Sequence, residues 1–298
     1  MTSAVELYRR MLLIRRFEER VLELFSQGKL SGTTHTYIGQ EAGAAGVLSH
    51  LGEEDTVFSN HRCHGHYLVK TNDPAGLLSE MMGKASGACG GLGGSQHLCR
   101  RKFYSNGILG SYLPIAAGVA LAEKLRASRH IVVVCMGDGT LGEGVVYETF
   151  NMASLYGLPL LLLIENNHIA QTTPIALHLA GSIAARPRAF GIQATEIDAV
   201  DVGLVHARAG AIIAEIRATS RPHALILDTN RFAPHSKGDD TRSPQELAEI
   251  RARDPLTMAG AALDEGERSA THAAVNALLA EAEALAAAAP VSDREWRR

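Results

Sequence analysis

Residues 130–167 of this chain read HIVVVCMGDGTLGEGVVYETFNMASLYGLPLLLLIENN. Two predicted strands, at 130–136 and 160–164, contain the continuously apolar runs IVVVCM and LLLLI. They enclose a helical stretch at 143–156 that a glycine and a proline follow. Glycine and then proline is typical of the end of a helix. Apolar runs without alternation are typical of parallel strands that helices cover on both faces. The stretch therefore predicts a strand, helix and strand unit of a parallel sheet.

The same alternation of elements continues on both sides of this unit. Helical patterns cover 114–126 and 202–218, and a further apolar strand is predicted at 224–228. Hydrophobic residues make up 46% of the chain and charged residues 20%, which is typical of folded globular proteins. We therefore predict the α/β class, with a mostly parallel central sheet and helices on both faces. One domain is expected over 1–298, with an N-terminal helical segment and a C-terminal helical tail.

Composition excludes several classes of partner. The net charge is −3 and no basic stripe is clustered, so neither nucleic acid nor an anionic membrane is an expected partner. No run reaches the roughly 18 apolar residues of a membrane span, and the N-terminus has the pattern of an amphipathic helix instead of a signal peptide. The four cysteines, Cys63, Cys89, Cys99 and Cys135, form no CxxC pair. We expect free thiols and a cytoplasmic protein.

Polar residues follow both apolar runs of the opening stretch. Asp138 lies in a Gly-Asp-Gly triplet after the first run, and Asn167 ends a Glu-Asn-Asn triplet after the second, with 26 residues between the Gly-Asp-Gly and Asn-Asn motifs. Because parallel strands end at the same edge of a sheet, these two side chains are expected side by side. Carboxylate and amide oxygens suit Mg²⁺, which completes its coordination with phosphate oxygens and water. The spacing predicts a magnesium site.

A diphosphate is the ligand that this arrangement predicts. Gly137 and Gly139 would let the backbone approach the ligand, and a helix starting near Glu143 would direct free N–H groups at it. A lone Gly-Asp-Gly carries little information. Followed at this distance by Asn-Asn, with each motif behind an apolar strand, it becomes a specific signal.

Three other stretches are expected to form loops with functional side chains. The segment 32–39 is rich in Thr and His and is expected to expose its backbone. The cluster 61–66, HRCHGH, is polar where a core would be apolar. The segment 83–97 holds six glycines, whose turn chemistry favours a structured loop over a flexible linker.

The motifs together resemble a known family. GDGTLGEG and ENN resemble the thiamine-diphosphate binding motif of transketolases, decarboxylases and 2-oxo acid dehydrogenases. In order and spacing, further stretches over residues 5–257 resemble the alpha subunit of the dehydrogenase component of pyruvate, branched-chain 2-oxo acid and acetoin dehydrogenase complexes. These stretches are YIGQEA, NHRCHGHYL, GKASGACGGLGGSQH, NGILGSYLPIAAGVALA, YETFNMASLYGLPLLLLIENN and RFAPHSKGDDTR. The resemblance implies the diphosphate-binding half of a thiamine-diphosphate fold, with thiamine diphosphate and Mg²⁺ as cofactors.

The resemblance also implies roles for individual residues. The metal ligands would be Asp138, Asn167 and the backbone carbonyl of Ile169. Arg62 would contact the diphosphate, and Gly107 and Leu109 would face the aminopyrimidine ring. Further cofactor-binding positions would be His61, Gly137, Gly139, Thr140 and His235. The histidines His35, His64 and His235 would line the catalytic funnel.

In this family a glutamate of a partner beta subunit activates the cofactor. Because one domain is expected over 1–298, we expect no second α/β domain that could supply such a glutamate. The resemblance therefore implies an α₂β₂ heterotetramer with the cofactor held between alpha and beta subunits. A small-molecule 2-oxo acid or acetoin would be the substrate, and a lipoyl-bearing acyltransferase could receive the product.

Two departures from the family pattern leave alternatives open. After the asparagines the family commonly has an aromatic residue and a Ser-containing turn, whereas residues 168–174 here read HIAQTTP. His61 stands where many pyruvate-type members have tyrosine. One alternative is therefore half of a split transketolase-like or acyloin-forming carboligase. A scaffold without catalysis is a third reading, disfavoured by the intact Asp138, Asn167, Arg62 and His235.

Overall fold

The structure is a computed structural model that describes residues 2–30, 32–236 and 238–293. The strands are β1 Thr56–Ser59, β2 Cys99–Arg100, β3 Phe103–Ser105, β4 Val132–Gly137, β5 Leu160–Asn166, β6 Ile169–Ala170, β7 Thr173–Pro174, β8 Gln193–Asp198 and β9 His223–Asp228. The helices are α1 Ala4–Ser26, α2 Glu41–Leu48, α3 His64–Thr71, α4 Pro74–Met81, α5 Leu113–Leu125, α6 Gly144–Tyr156, α7 Ala185–Arg188, α8 Val202–Thr219, α9 Pro244–Arg251, α10 Pro255–Ala261 and α11 Glu265–Ala288. The predicted domain bounds of 1–298 include residues outside the described part, so they stay a prediction.

Seven strands form one central sheet in the order β2-β3-β1-β4-β5-β9-β8, and every pair is parallel except β2 with β3. The short strands β6 and β7 form a separate antiparallel pair. The predicted α/β class with a mostly parallel sheet is confirmed. So is the predicted strand, helix and strand unit, because β4 and β5 pair in parallel with Gly137 opposite Glu165.

The central strands are buried on both faces. Side chains alternate across a strand, so neighbouring residues enter different cores. Val133 and Leu161 pack in one core with residues of α1, α2, α3 and α8. Val132 and Leu160 pack in the other, with residues of α5 and α6. This two-sided burial is the physical reason for the unbroken apolar runs in β4 and β5.

The C-terminal end of α6 lies where it was predicted, and its N-terminal end does not. Gly157 ends the helix in the left-handed region at φ 54°, and its N–H bonds the carbonyl of Ala153. At the other end, a tight 3₁₀ turn over Asp138–Gly142 comes between β4 and α6. The helix therefore begins at Gly144, one residue after the predicted start.

Several elements were not predicted. The edge strand β8 carries exposed polar residues such as Gln193 and Glu196, so it lacks the apolar run of a central strand. Strands β2 and β3 have two and three residues, and α7 has four. Elements this short show no periodic hydrophobic pattern in the sequence. They form because contacts with other elements stabilise them.

The prediction that the segment 32–39 exposes its backbone is wrong. Thr34, His35, Thr36 and Tyr37 are all buried, each less than 9% exposed. The backbone N–H of Tyr37 donates to the buried carboxylate of Glu18 at 2.7 Å. A partner from α1 thus satisfies the polar backbone, which allows the segment to enter the interior.

The N-terminal helix is tied to two other elements by one buried cation. The Arg15 guanidinium donates to Glu41 of α2 at 2.5 Å and to Asp254, the N-cap of α10, at 2.9 Å. Glu41 is fully buried, and burial raises its pKa although Arg15 acts in the opposite direction. A buried carboxylate of this kind depends on its partner to stay charged.

The described cysteines and helices agree with two predictions from the sequence. All four cysteines are free thiols. Among the helices that the structure describes, none has both the length and the apolar character needed to cross a bilayer. Both findings agree with the absence of a CxxC pair and of a long apolar run in the sequence.

The Arg15 contacts generate a stability prediction. Arg15→Ala should lower the free energy of unfolding by about 3 to 5 kcal/mol, because it leaves the Glu41 carboxylate buried without a cation. Urea denaturation measures the change. Arg16→Ala is the matched control, since Arg16 is 43% exposed and pairs with a similarly exposed Glu19. That variant should lose less than about 1 kcal/mol. Equal losses in the two variants would contradict the role given to Arg15.

Candidate active site

A cavity of about 360 Å³ opens at the carboxyl ends of β1, β4 and β5. Ligands of open parallel sheets bind at this edge, where strand ends meet loops. Twelve of the residues predicted for the site line the cavity: His35, His61, Arg62, Gly107, Leu109, Gly137, Asp138, Gly139, Thr140, Asn167, Ile169 and His235. The fold thus gathers residues that are up to 200 positions apart in sequence, from His35 to His235.

His64 is the one predicted site residue that does not line the cavity. Its side chain is fully buried, with Nδ1 3.0 Å from the Glu18 carboxylate and Nε2 3.1 Å from the carbonyl of Ser95. Both ring nitrogens are therefore engaged in the interior. The expectation that His64 faces the funnel is corrected, because the first turn of α3 directs it towards α1.

The two predicted metal-ligand side chains leave neighbouring strands. Asp138 follows the last residue of β4 and Asn167 follows the last residue of β5, and both line the cavity. Asp138 is 2% exposed, and burial raises the pKa of its carboxyl. The Asn167 amide donates to Gln40 Oε1 at 2.9 Å, which fixes the orientation of its oxygen. A carboxylate and an amide, whose oxygens suit a hard cation, therefore line the same cavity.

Some glycines of the site allow neighbouring segments of the protein to pack closely. A Cβ atom on Gly139 would lie 2.9 Å from the Cβ of Ala170, so glycine is required where the β6–β7 hairpin meets the turn after β4. A Cβ atom on Gly107 would lie 2.4 Å from Gln96 Oε1. A Cβ atom on Gly137 would meet only one atom, at 4.0 Å. Gly139 therefore allows the hairpin and the turn to pack closely, whereas the contact at Gly107 involves the flexible end of the Gln96 side chain.

Two buried guanidinium groups make the cavity electropositive. Arg62 is 4% exposed and Arg231 is 1% exposed. In the described part of the chain their hydrogen-bond partners are the carbonyls of Thr36 and Gln171 and the ring of His235, with no carboxylate among them. Burial, and then the charge of Arg231, lower the pKa of Arg62 to about 9. Two buried cations of this kind require an anion to offset the cost of desolvation.

Three histidines meet at the cavity wall. Nitrogens of His35, His61 and His235 lie within 4.8 Å of one another. Burial, and then the nearby Arg62, lower their pKa values to about 3, about 2 and about 4. All three rings are therefore neutral at pH 7, and each can offer one N–H donor and one acceptor nitrogen.

Within the part of the chain that the structure describes, five polar atoms of the cavity residues are buried without a hydrogen-bond partner. They are His35 Nδ1, His61 Nδ1, Asp138 Oδ2, Thr140 Oγ1 and Arg231 Nε. Buried polar atoms in folded proteins are nearly always paired. Their concentration around one cavity indicates a polar ligand that supplies the missing partners.

The hairpin at residues 168–174 forms one wall of the cavity. Ile169, Ala170 and Gln171 line it, whereas His168 does not. His168 has a positive φ of 65°, and its Nε2 lies 2.8 Å from Asp228 Oδ1. Three residues of this departure from the family pattern, Ile169, Ala170 and Gln171, thus line the cavity.

Sequence reasoning missed seven cavity residues: Gln40, Asn60, Gln96, Glu165, Ala170, Gln171 and Arg231. Most lie in the quoted motifs, one or two positions from a predicted residue. Glu165 precedes the two asparagines, and its Oε1 accepts a hydrogen bond from Tyr37 and lies 3.3 Å from His66 Nε2. Arg231 could have been found as a charged residue just after a predicted strand.

The three neutral imidazoles generate a pH prediction for the unliganded chain. Their folded-state pKa values lie below the usual 6.5, so the folded state binds fewer protons than the unfolded state under mild acid. Their contribution to stability should be complete above pH 6.5 and should be lost as the pH falls towards 4. Urea denaturation from pH 7 to pH 4 measures it. The triple variant His35→Asn, His61→Asn, His235→Asn should lose less stability over this range than the unmodified chain. Parallel curves would contradict the prediction.

The chain matches the family model of the dehydrogenase E1 component over residues 9–290. It is 37% identical over 268 residues to the alpha subunit of acetoin:2,6-dichlorophenolindophenol oxidoreductase from Cupriavidus necator, covering 88% of this chain and 80% of that protein. It is 40% identical over 260 residues to the alpha subunit of the pyruvate dehydrogenase E1 component from Zymomonas mobilis, covering 85% and 73%. The same subunit from Rickettsia felis is 36% identical over 260 residues, covering 85% and 80%.

These matches confirm the resemblance seen in the motifs, since the family model spans both strand-end triplets and the loops around them. The relatives are alpha subunits that act on a 2-oxo acid or on acetoin, and the aligned regions cover most of each protein. The cavity lies within the matched residues. The chain therefore belongs to the dehydrogenase E1 component family, as an oxidoreductase subunit of the alpha type.

Proposed function

We propose that this chain binds Mg²⁺ and thiamine diphosphate and, with a beta subunit, acts as a dehydrogenase on a 2-oxo acid or acetoin. One observation carries the proposal. A carboxylate and an amide, from the tips of two adjacent parallel strands, line a single cavity that also holds two buried arginines. This combination offers ligands for a divalent cation and counter-charges for a diphosphate in the same space.

The donor set fits a hard divalent cation. Asp138 would contribute a carboxylate oxygen, Asn167 an amide oxygen and Ile169 its backbone carbonyl, and all three residues line the cavity. Mg²⁺ is commonly bound through one or two carboxylates together with phosphate oxygens. Burial raises the pKa of the Asp138 carboxyl, so a bound cation would stabilise its charged form.

The diphosphate would be held by charge and by free donors. Arg62 and Arg231 are buried cations without a carboxylate partner in the described chain. Thr140 Oγ1 is a further buried donor, with no hydrogen-bond partner among the described residues. A guanidinium binds phosphate oxygens in a fixed, forked geometry, so these groups would orient the ligand as well as neutralise it.

When bound, thiamine diphosphate supplies the chemistry for cleaving the bond next to a 2-oxo carbonyl. The contribution of this chain is to place proton donors and acceptors beside that bond. His35 and His61 each have a buried Nδ1 atom that makes no hydrogen bond to the residues the structure describes. His235 Nδ1 lies 3.4 Å from the Arg231 guanidinium, which can only donate, so the proton of His235 resides on Nε2. These neutral rings can therefore accept or hold a proton at defined atoms.

The chain's own carboxylates support the need for a beta subunit. Among the described residues that line the cavity, only Asp138 and Glu165 are acids. Glu165 is engaged with Tyr37 and His66, and Asp138 is assigned to the metal. A separate glutamate for activating the cofactor would therefore come from another chain, as proposed for an α₂β₂ assembly.

Exposed apolar side chains next to the site suit the same partner. Ile108 lies between two cavity residues and is 68% exposed. The helices α5 and α6 expose further large side chains, Ile115, Met152, Leu155 and Tyr156. Exposed apolar groups concentrated on one pair of packed helices are typical of a protein interface. We assign this surface to the beta subunit.

The activity is tested with the chain co-expressed with its beta subunit. Pyruvate, branched-chain 2-oxo acids and acetoin are supplied with Mg²⁺, thiamine diphosphate and 2,6-dichlorophenolindophenol as electron acceptor. Dye reduction that requires both chains and both cofactors supports the proposal, and a lipoyl-bearing acyltransferase would then be the proposed physiological acceptor. Activity that is independent of thiamine diphosphate would overturn the proposed cofactor, and full activity of this chain alone would overturn the proposed partner.

The metal assignment generates a binding prediction. Asp138→Ala should abolish the Mg²⁺-dependent binding of thiamine diphosphate, because it removes the only carboxylate assigned to the cation. Isothermal titration calorimetry with and without Mg²⁺ measures the effect. Asp198→Ala is the matched control, since Asp198 also ends a parallel strand but pairs with Arg253 and is half exposed. Normal cofactor binding by Asp138→Ala would contradict the assignment.

The histidine assignment generates a kinetic prediction. His235→Ala should leave cofactor binding largely intact and lower kcat by about 100-fold or more, because it removes a positioned proton donor. Steady-state kinetics and cofactor titration on the same preparation separate the two effects. His272→Ala is a control, because His272 lies far from the cavity beside Tyr8. A lost cofactor affinity with unchanged kcat at saturation would contradict this role.

A further inference from the structure

His178 faces the buried side of the proposed metal ligand. Its Nε2 atom lies 3.9 Å from Asp138 Oδ2. Both atoms are buried, and neither has a hydrogen-bond partner within the described chain. His178 is not among the residues that line the cavity. Two buried polar atoms without other partners in the described chain thus lie close together, and each could supply the hydrogen bond that the other lacks.

The segment that carries His178 is anchored to the same hairpin as Ile169. The N–H of Ile175 donates to the carbonyl of His168 at 2.9 Å, which closes the hairpin. The N–H groups of His178 and Leu179 both donate to the carbonyl of Ile175, at 3.1 and 3.0 Å. Leu179 is 9% exposed and packs in the core beneath α6. His178 is therefore held in place by backbone and core contacts.

We propose that His178 is a positioning residue of the metal site, which donates its Nε2 proton to Asp138 Oδ2 and leaves Oδ1 to face the cation. This inference rests on the proposed function. Carboxylates that bind a metal are usually hydrogen-bonded through an outer partner, which sets their orientation. Of the two carboxylate oxygens, Oδ2 is the buried, unpartnered one, and it is the oxygen near His178.

The distance supports an outer position for His178 over a direct one. At 3.9 Å the two atoms are less than 1 Å beyond the usual range of an N–H to oxygen hydrogen bond. A small rotation of either side chain would close that gap. A direct ligand would have to reach into the cavity, whereas His178 is not among the residues that line it. Imidazole is moreover a preferred ligand of softer cations than Mg²⁺.

The test measures metal affinity in the complex with the beta subunit at saturating thiamine diphosphate. Electron paramagnetic resonance measures free Mn²⁺ during a titration, and competition gives the affinity for Mg²⁺. His178→Ala should weaken the binding of both metals by about 10- to 100-fold. His178→Gln, which keeps an N–H donor, should restore most of the affinity. Unfolding of the metal-free complex by urea should be the same for all variants.

A matched control comes from the other end of the same strand. His130 precedes β4, and its Nδ1 lies 3.3 Å from the Glu123 carboxylate, far from the proposed metal. His130→Ala should bind both metals with unchanged affinity. It therefore separates the loss of a histidine beside a carboxylate from the loss of this particular contact.

The outcomes distinguish the inference from the function on which it rests. Unchanged affinity of His178→Ala for both metals would overturn the positioning role while leaving the proposed function intact. A loss for Mn²⁺ with full retention of Mg²⁺ would also overturn it, because that pattern belongs to a direct nitrogen ligand. If the unmodified complex bound neither metal, or if Asp138→Ala bound both normally, the proposed metal site itself would be refuted.

Discussion

The parallel pairing of β4 with β5 is the constraint on which the site depends. Gly137 and Glu165 are register partners, so the residues that follow them, Asp138 and Asn167, leave the sheet at one edge. The two strands are fully buried on both faces, and their apolar side chains hold this register. A slip of one residue would turn those side chains towards the wrong cores. Hydrophobic burial far from the cavity therefore determines where two polar groups lie.

The buried arginines of the cavity differ from a buried ion pair elsewhere in the fold in the partners that they have. In α1 the largely buried Arg15 is paired with two carboxylates, Glu41 and Asp254. At the cavity Arg62 and Arg231 have carbonyl partners, and several polar atoms have none among the described residues. A folded chain tolerates such groups when a ligand supplies the missing partners. The difference between the two kinds of buried charge supports a role for the cavity in binding an anion together with a cation.

Long apolar strands and motifs at their ends could be predicted, whereas contacts between distant loops could not. The strands at β4, β5 and β9 have strong local patterns, and the triplets after β4 and β5 follow from them. His35 and His64 lie in similar polar loops, yet one lines the cavity and the other bonds Glu18 in the interior. No local signal separates these two histidines. Gly139 was predicted for contact with a ligand, and the structure shows that it also makes room for Ala170.

By itself the sequence determined the α/β class, the parallel unit at its centre and the family, because two-sided burial and tight turns leave continuous local patterns. It also placed most residues of the cavity, through motifs that accompany those patterns. Only the tertiary structure decided which polar side chains share the cavity, which are satisfied in the interior, and that His178 stands behind Asp138. The physical reason is that hydrogen bonding and burial depend on neighbours from other elements, and the chain brings these together only when it folds.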